Sequence, residues 1–255
     1  MKKLALFDMD GTLTEPRQKM GLGMEIALSR LQQAGIQIGI ITGSDMNYVM
    51  QQCSSMFDLS VLNTPSVHFL PCNGTKYIYN SEMVYESNMK DYVGEEEWQN
   101  LIKFLLQEQL KITNSIKIPL TGHFINYRGS MINWCPIGRN ADNSQREEWK
   151  QLNKNNNIRF SILGRLEEAF KPLGLTTKYG GSTSFDIFPI GWDKTYPIEQ
   201  TDLFDDFDEI MFVGDSYKPD GNDYELLNHP RIQGFKTDNP KKTMQIVNKI
   251  LSSTV

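Results

Sequence analysis

Cysteine is scarce in this sequence, and long apolar segments are missing from it. The three cysteines, Cys53, Cys72 and Cys135, are far apart, odd in number and without metal-ligand spacing, which favours reduced thiols in the cytoplasm over a disulfide framework. No apolar run approaches the roughly 18 residues that a membrane-spanning helix requires. Because the first apolar segment begins at Leu4, we also expect no signal peptide. The sequence therefore predicts a cytoplasmic protein.

An excess of basic charge is also lacking. The formal net charge is -5, which gives no general attraction to nucleic acid or to an anionic membrane, and we expect neither as a partner. Internal repeats and low-complexity segments are missing as well. The hydrophobic fraction of 39% and the charged fraction of 22% are those of an ordinary globular protein. At 255 residues, the chain is long enough for two domains.

The most informative segment is the apolar stretch 4–7, which is followed by Asp8-Met9-Asp10-Gly11-Thr12. Such a stretch predicts a buried parallel strand, and open α/β sheets bind their ligands at the carboxyl ends of these strands. Because strand side chains alternate, Asp8 and Asp10 begin on one face, where two carboxylates repel unless a cation or a shared proton intervenes. The pattern favours a carboxylate nucleophile, an acid for proton transfer and a divalent metal. The alternative is an acidic surface turn, since Asp-Gly is a common turn dipeptide.

Two further apolar segments end in polar residues. Segment 36–41 is followed by a loop that contains Thr42 and Ser44, and segment 209–214 is followed by Asp215. A helical pattern follows each of the first two strands, so the βαβα order predicts a parallel sheet. A hydroxyl in such a loop suits a phosphate near a helix N-terminus, although Thr42 or Ser44 could instead only cap the helix.

The middle of the chain has a different pattern, in which helical segments are mixed with hairpin-like ones. This order indicates an antiparallel sheet covered by helices on one face. We therefore predict an α/β fold with a parallel-sheet core, residues 1–81 and 189–255, and an inserted α+β cap domain, residues 82–188. The helical patterns of the insert cover 95–110, 144–155 and 159–170.

The predicted strand ends and one lysine form a candidate active site. The carboxyl ends of parallel strands meet at one edge of a sheet, so we expect Asp8, Asp10, Ser44 and Asp215 to lie together. Lys194 follows where the chain returns to the core domain. Together they are typical of magnesium-assisted phosphoryl transfer, in which Lys194 and the metal offset phosphate charge while Asp8 attacks. Taken alone, Lys194 would be interpreted as a surface lysine.

These residues resemble the four motifs of the haloacid dehalogenase superfamily, namely Asp8-Met9-Asp10-Gly11-Thr12, Ser44, Lys194, and Gly214-Asp215 with Asn222-Asp223. More narrowly, the chain is similar to the eukaryotic-type α-phosphomannomutases over both core and cap. The further segments that carry this resemblance are 17–19, 43–45, 136–139, 180–186, 188–194 and 221–225. The chain differs from the family pattern at Cys72, Asp220 and His229.

The resemblance implies a Rossmann-like haloacid dehalogenase core and a role for each motif residue. Asp8 is expected to be the nucleophile that becomes an aspartyl phosphate, and Asp10 the general acid/base. The resemblance further implies Mg²⁺ bound by the Asp8 carboxylate, the Asp10 backbone carbonyl and Asp215, with Asn222 or Asp223 in support.

The same resemblance implies which residues bind the substrate. Ser44 and Lys194 would bind the phosphate that is transferred, and arginines would hold a second phosphate, because a guanidinium matches phosphate oxygens with its planar fork. The expected contacts to the second phosphate, the sugar and the boundary of core and cap are Arg17, Arg128, Arg139, Arg146, Ser184 and Asp186.

The function implied is that of an enzyme of this family, which interconverts mannose 6-phosphate and mannose 1-phosphate with a hexose 1,6-bisphosphate as activator. The resemblance also implies a role in GDP-mannose biosynthesis and a homodimer formed through the cap. Two alternatives stay open: a magnesium-dependent sugar phosphatase on the same scaffold, and a non-catalytic sugar-phosphate-binding protein. The three cap arginines favour the mutase over the phosphatase. The intact acidic motif argues against a binding protein.

Overall fold

The computed structural model describes residues 1–58, 62–219 and 221–253. The chain divides into two compact units, Met1–Glu86 with Gly191–Val255 and Ser87–Ile190. The sequence-based boundary after residue 81 is wrong by one strand, because Glu82–Glu86 pairs with the preceding strand in the sheet of the first unit. At the return, Pro189 and Ile190 belong to the second unit, since the last strand of that unit ends at Pro189.

The elements follow one another along the chain in three blocks. The first block is β1 (Lys3–Phe7), α1 (Leu22–Gln33), β2 (Ile36–Ile41), α2 (Met46–Gln52), α3 (Ser54–Asp58), β3 (Val67–Leu70), β4 (Lys76–Tyr79) and β5 (Glu82–Glu86). The second block is α4 (Met89–Val93), α5 (Glu95–Ser115), β6 (Ile125–Tyr127), β7 (Ile132–Trp134), α6 (Asn143–Asn156), α7 (Ile158–Phe170), β8 (Leu175–Gly180) and β9 (Ser184–Pro189). The third block is α8 (Tyr196–Glu199), β10 (Glu209–Gly214), α9 (Tyr224–Leu227), β11 (Ile232–Lys236) and α10 (Pro240–Ser252).

The first unit is built on a seven-stranded sheet in the order β11-β10-β1-β2-β3-β4-β5. The strands from β11 to β3 pair in parallel, and β4 and β5 are antiparallel additions at one edge. Because side chains alternate along a strand, β1 contributes side chains to the cores on both faces of the sheet. Ala5 and Phe7 pack in the core that contains α1 and α10, and Leu4 and Leu6 pack in the core on the other face. The parallel strands therefore end together at one edge, with β1 between β10 and β2.

The second unit is built on a four-stranded antiparallel sheet in the order β6-β7-β9-β8. On one face the rings of Trp134 and Phe185 stack with centroids 5.5 Å apart, and both side chains are fully buried. On the other face the neighbouring register positions Asn133 and Asp186 are polar. This alternation is that of a sheet with one apolar and one polar face. An α/β sheet interrupted by an α+β insert is thus confirmed.

Across the described ranges, none of the helices combines the length and the apolar character that a membrane crossing demands.

Candidate active site

The carboxyl end of β1 turns sharply and places Asp8 beside the end of β10. The Asp8 N–H still donates to the carbonyl of Val213 at 2.9 Å, and the chain then folds back so that the N–H groups of Leu13 and Thr14 donate to Met9 O. Gly11 has φ +84°, and a Cβ there would lie 2.4 Å from Asp215 Oδ2. Only glycine combines this backbone conformation with this approach. The Asp-x-Asp-Gly motif therefore brings Asp8 to the carboxylate of Asp215.

Lys194 joins Asp8 to a second carboxylate from a distant part of the chain. The residue is 1% exposed, and its ammonium donates to Asp8 Oδ1 and, at 2.5 Å, to Asp223 Oδ1. The other oxygen of Asp223 accepts from the Ser216 N–H at 2.9 Å. Gly214 leaves the space for this side chain, since a Cβ there would lie 2.7 Å from Asp223 Oδ2. The interpretation of Lys194 as a surface lysine is therefore wrong.

Burial dominates the electrostatics of the cluster. It raises the pKa of Asp8 to about 8, with repulsion from Asp223 and Asp215 in the same direction and the Lys194 charge in opposition. Burial also raises the pKa of Asp215 to about 6, and Asp223 adds to the effect. Burial acts to lower the pKa of Lys194, but the attraction of Asp223 and Asp8 outweighs it, so this pKa is raised and the ammonium stays charged. One buried ammonium thus faces three carboxylates.

The donor set of this cluster fits a magnesium ion. One carboxylate oxygen each from Asp8, Asp215 and Asp223 lie within 4.8 Å of one another. Hard oxygen ligands of this kind are those that Mg²⁺ binds. A divalent cation would also favour the ionised forms of Asp8 and Asp215, whose pKa values are raised. Asp223, which sequence reasoning left as an alternative to Asn222, is the third carboxylate of the set.

The Asp10 side chain faces α2 through one of its oxygens. Asp10 Oδ1 accepts from the Tyr48 hydroxyl at 2.9 Å and from the Arg17 N–H at 3.2 Å. Arg17 has φ +64°, and its side chain is exposed. The magnesium role of the Asp10 backbone carbonyl stays a prediction.

The loop that carries Ser44 lies beside the end of β3 and next to Asn222. Thr42 O accepts from Asn73 N at 2.8 Å, and Ser44 O accepts from Cys72 N at 2.8 Å. A Cβ on Gly43 would lie 3.9 Å from Asn222 Nδ2. These contacts hold the Ser44 loop near the segment that supplies Asp223.

Helix capping does not explain the two hydroxyls of this loop. The N-cap of α2 is Asp45, whose Oδ1 accepts from Tyr48 N at 2.9 Å. Thr42 Oγ1 accepts instead from Ser44 N at 3.1 Å, and the Ser44 hydroxyl bonds to no residue in the part of the chain that the structure describes. The Ser44 hydroxyl can therefore serve a ligand.

In the second unit, two of the predicted arginines form one network with Asp186. Arg139 Nη1 donates to Asn133 Oδ1 at 2.8 Å, and Asn133 Nδ2 donates to Asp186 Oδ1 at 2.6 Å. Arg146 Nη2 donates to the carbonyl of Arg139 at 3.1 Å, and its Nη1 donates to Thr183 Oγ1 at 3.0 Å. The network fixes two guanidinium groups near the polar face of the sheet.

The other predicted residues of this unit lie in two turns. The Arg128 N–H donates to the Met131 carbonyl at 2.9 Å in the turn between β6 and β7. Ser184 is buried after the turn between β8 and β9, where Arg159 Nη2 donates at 2.7 Å to the carbonyls of both Gly181 and Ser184. Arg159 therefore holds the turn that carries Ser184.

Sequence reasoning missed Tyr48, Asn133 and Arg159. The period-two pattern of β7 and β9 could have indicated Asn133, because it lies in register with Asp186. Tyr48 and Arg159 occur in ordinary helical patterns, which carry no signal for their partners. Of the departures from the family pattern, Cys72 is fully buried and His229 Nε2 contacts Glu199 Oε1, whereas Asp220 lies outside the described residues.

Comparisons with solved structures show the same fold. A haloacid dehalogenase-like hydrolase from Bacteroides thetaiotaomicron superposes with a TM-score of 0.60 at 16% identity, covering 98% of this chain and 100% of the other. The C-terminal domain of the C. albicans trehalose-6-phosphate phosphatase superposes with a TM-score of 0.63 at 16% identity, covering 98% of this chain and 92% of the other. At these identities the likeness establishes the fold alone.

Comparisons at the sequence level go further. The phosphomannomutase of Schizosaccharomyces pombe is 36% identical over 251 residues, 98% of this chain and 95% of the relative. Phosphomannomutase 2 of Dictyostelium discoideum is 37% identical over 246 residues, which are 96% of this chain and 95% of the relative. The model of the eukaryotic phosphomannomutase family matches residues 24–253. The chain therefore belongs to the eukaryotic phosphomannomutase family, as its motifs predicted.

Proposed function

We propose that this protein is a phosphomannomutase that interconverts mannose 6-phosphate and mannose 1-phosphate through a hexose 1,6-bisphosphate. The observation that carries the proposal is the buried cluster in which Lys194 binds Asp8 and Asp223, in a chain that matches relatives named phosphomannomutase over almost its whole length. Binding of a sugar phosphate alone would not need a buried carboxylate nucleophile beside an acid.

The reaction assigned to Asp8 is two successive phosphoryl transfers. In the first, an Asp8 carboxylate oxygen attacks the phosphorus of the bisphosphate, a P–O bond to Asp8 forms, and the P–O bond to the sugar breaks. Asp10 donates a proton to the departing sugar oxygen. In the second, a free hydroxyl of the substrate, mannose 1-phosphate or mannose 6-phosphate, attacks the aspartyl phosphate while Asp10 accepts the proton of that hydroxyl. The Asp8 carboxylate is thereby regenerated.

In this proposal, Lys194 and a magnesium ion offset the negative charge of the transferred phosphoryl group. The Lys194 ammonium already contacts Asp8, so it stands where the equatorial oxygens of a transferred phosphoryl group gain charge. Mg²⁺ would be held by Asp8, Asp215 and Asp223, and when bound it supplies Lewis-acid stabilisation of the phosphoryl oxygens. We assign the Ser44 hydroxyl to the same phosphate.

A second phosphate distinguishes a mutase from a phosphatase. We assign it to Arg128, Arg139 and Arg146, and we keep Arg17 as a separate substrate-binding residue of the first unit. The fork of a guanidinium matches phosphate oxygens, and Arg139 and Arg146 are already linked through the Arg139 carbonyl. Simple hydrolysis gains little from such a clamp. The sugar is assigned to Ser184 and Asp186.

We also propose a homodimer formed through the second unit, a cytoplasmic location, a role in GDP-mannose biosynthesis, and no nucleic acid or membrane partner. The homodimer is supported by Leu106 and Leu110, which lie one turn apart on α5 and are more than half exposed. Exposed apolar side chains at this spacing suit a contact between copies of a chain.

The proposal is tested with purified protein, Mg²⁺ and mannose 1-phosphate, with and without a hexose 1,6-bisphosphate. Phosphorus NMR follows mannose 6-phosphate and free inorganic phosphate in the same sample. Isomerisation that depends on the bisphosphate, with little release of phosphate, is the expected result. Phosphate release without isomerisation would make the protein a phosphatase, and binding without either reaction would make it a sugar-phosphate-binding protein.

Two controls make this experiment decisive. Removal of divalent cations with EDTA should abolish isomerisation, and Mg²⁺ should restore it. Asp8→Asn should abolish both phosphoryl transfers, because an amide oxygen is a poor nucleophile and cannot form the aspartyl phosphate. Glucose 1-phosphate in parallel reactions measures the preference for the hexose.

A further inference from the structure

Tyr48 is held both at its backbone and at its side-chain hydroxyl. Its backbone N–H donates to the N-cap side chain Asp45 at 2.9 Å, which anchors the first turn of α2. Its side chain packs against the hydrophobic core that contains residues of α1 and β1. Its hydroxyl donates to Asp10 Oδ1 at 2.9 Å. The Tyr48 side chain therefore reaches from the core to one particular carboxylate oxygen.

The two carboxylate oxygens of Asp10 differ in their hydrogen bonds. Both hydrogen bonds of this carboxylate, from the Tyr48 hydroxyl and from the Arg17 N–H, go to Oδ1. The second of these is long, at 3.2 Å. Oδ2 accepts from no residue in the described ranges, so it is the oxygen left to exchange a proton with a sugar hydroxyl. Rotation of the carboxylate would break the Tyr48 contact, which thus sets the direction of Oδ2.

We propose that Tyr48 is a positioning residue for proton transfer, which orients the Asp10 carboxylate so that Oδ2 faces the reacting sugar oxygen. The inference rests on the proposed phosphoryl transfer, in which Asp10 is the acid and the base. A general acid or base acts only within hydrogen-bond reach of its proton, and small errors of orientation reduce this advantage. Tyr48 does not touch the substrate in this role.

Tyr48→Phe removes the hydroxyl and leaves the ring in the core. We expect the kcat of bisphosphate-dependent isomerisation to fall roughly tenfold or more, the range that corresponds to a hydrogen bond to a charged group. The KM for mannose 1-phosphate should stay nearly constant, since no substrate contact is lost. Tyr77→Phe is the matched control, because it removes a tyrosine hydroxyl bonded at the same distance of 2.9 Å, to His68, and its activity should equal that of the wild type.

A second substrate separates positioning from a general loss of structure. 4-Nitrophenyl phosphate has a leaving group that departs without a proton, so its first transfer to Asp8 does not need Asp10. The single-turnover rate of nitrophenolate release by Tyr48→Phe should match that of the wild type. In an Asp10→Ala background, Tyr48→Phe should have no further effect on isomerisation, because the partner is gone.

The outcomes are distinguishable. Unchanged or faster isomerisation by Tyr48→Phe would overturn the inference while the proposed function stands. An equal loss with both substrates, or an additive loss in the Asp10→Ala background, would also overturn it, since the effect would then be structural. A wild-type protein that isomerises no hexose phosphate would refute the proposed function, and the inference with it.

Discussion

The buried imidazole of His68 makes the stability of this protein depend on pH. His68 lies on β3 and is 5% exposed. Its Nδ1 is 2.9 Å from the Tyr77 hydroxyl and its Nε2 is 2.8 Å from Gln37 Oε1. A neutral ring satisfies both contacts when Nε2–H donates to Gln37 and Nδ1 accepts from Tyr77. Burial, and secondarily the charge of Lys2, lowers the pKa of His68 from 6.5 to about 4.

The magnitude follows from this shift. Each pKa unit corresponds to about 1.4 kcal/mol, so the neutral ring accounts for about 3 kcal/mol of stability. Because the folded-state pKa is lowered, the unfolded chain binds the proton first as the pH falls. The contribution is complete above the unfolded pKa of about 6.5 and is lost as the pH falls toward 4. Within that window we expect a slope of about 1.4 kcal/mol per pH unit.

The assay compares urea unfolding of the wild type and His68→Gln at several pH values between 7.5 and 4.5 (about half-unit steps suffice). Glutamine keeps a donor and an acceptor at the site but does not titrate. The free energy of unfolding of the wild type should fall toward that of the variant as the pH decreases. The other titrating groups are common to both proteins, so the difference isolates His68. A difference in the free energy of unfolding between the two proteins that stays constant over the whole pH window would refute the reasoning. An NMR titration of the His68 ring near pH 6.5 would also refute it.

Two further predictions concern buried cations. Lys194→Met should lower kcat/KM for mannose 1-phosphate by about a hundredfold or more, because the ammonium on Asp8 offsets phosphoryl charge, and a steady-state assay that retains a tenth of the activity would contradict this role. Arg159→Lys should lower the free energy of unfolding in urea by about 2 kcal/mol. Lysine lacks the planar guanidinium that donates through Nη2 to the carbonyls of Gly181 and Ser184 while it stacks on the ring of Tyr179 at 4.4 Å. Unchanged amide hydrogen exchange at Ser184 would show that the turn does not depend on Arg159.

Local patterns were sufficient for most of the fold. The apolar segments that end at Phe7, Ile41 and Gly214 are strands β1, β2 and β10, because a strand buried on both faces has a continuous apolar sequence. The strand β11 was not predicted. Its central Gly234 approaches Leu227 O, where a Cβ would lie 2.2 Å away, and a segment with an exposed, polar edge pattern gives little local signal.

The sequence by itself determined the acidic motif, the lysine and the family, since these depend on residue types in a fixed order along the chain. Only the tertiary structure decided which groups meet: Lys194 with both Asp8 and Asp223, and Tyr48 with Asp10. The physical reason is that a hydrogen bond or an ion pair requires atoms within about 3 Å, and that distance is set by the packing of separate elements. Burial, which raises the pKa of Asp8, is likewise a property of the whole fold.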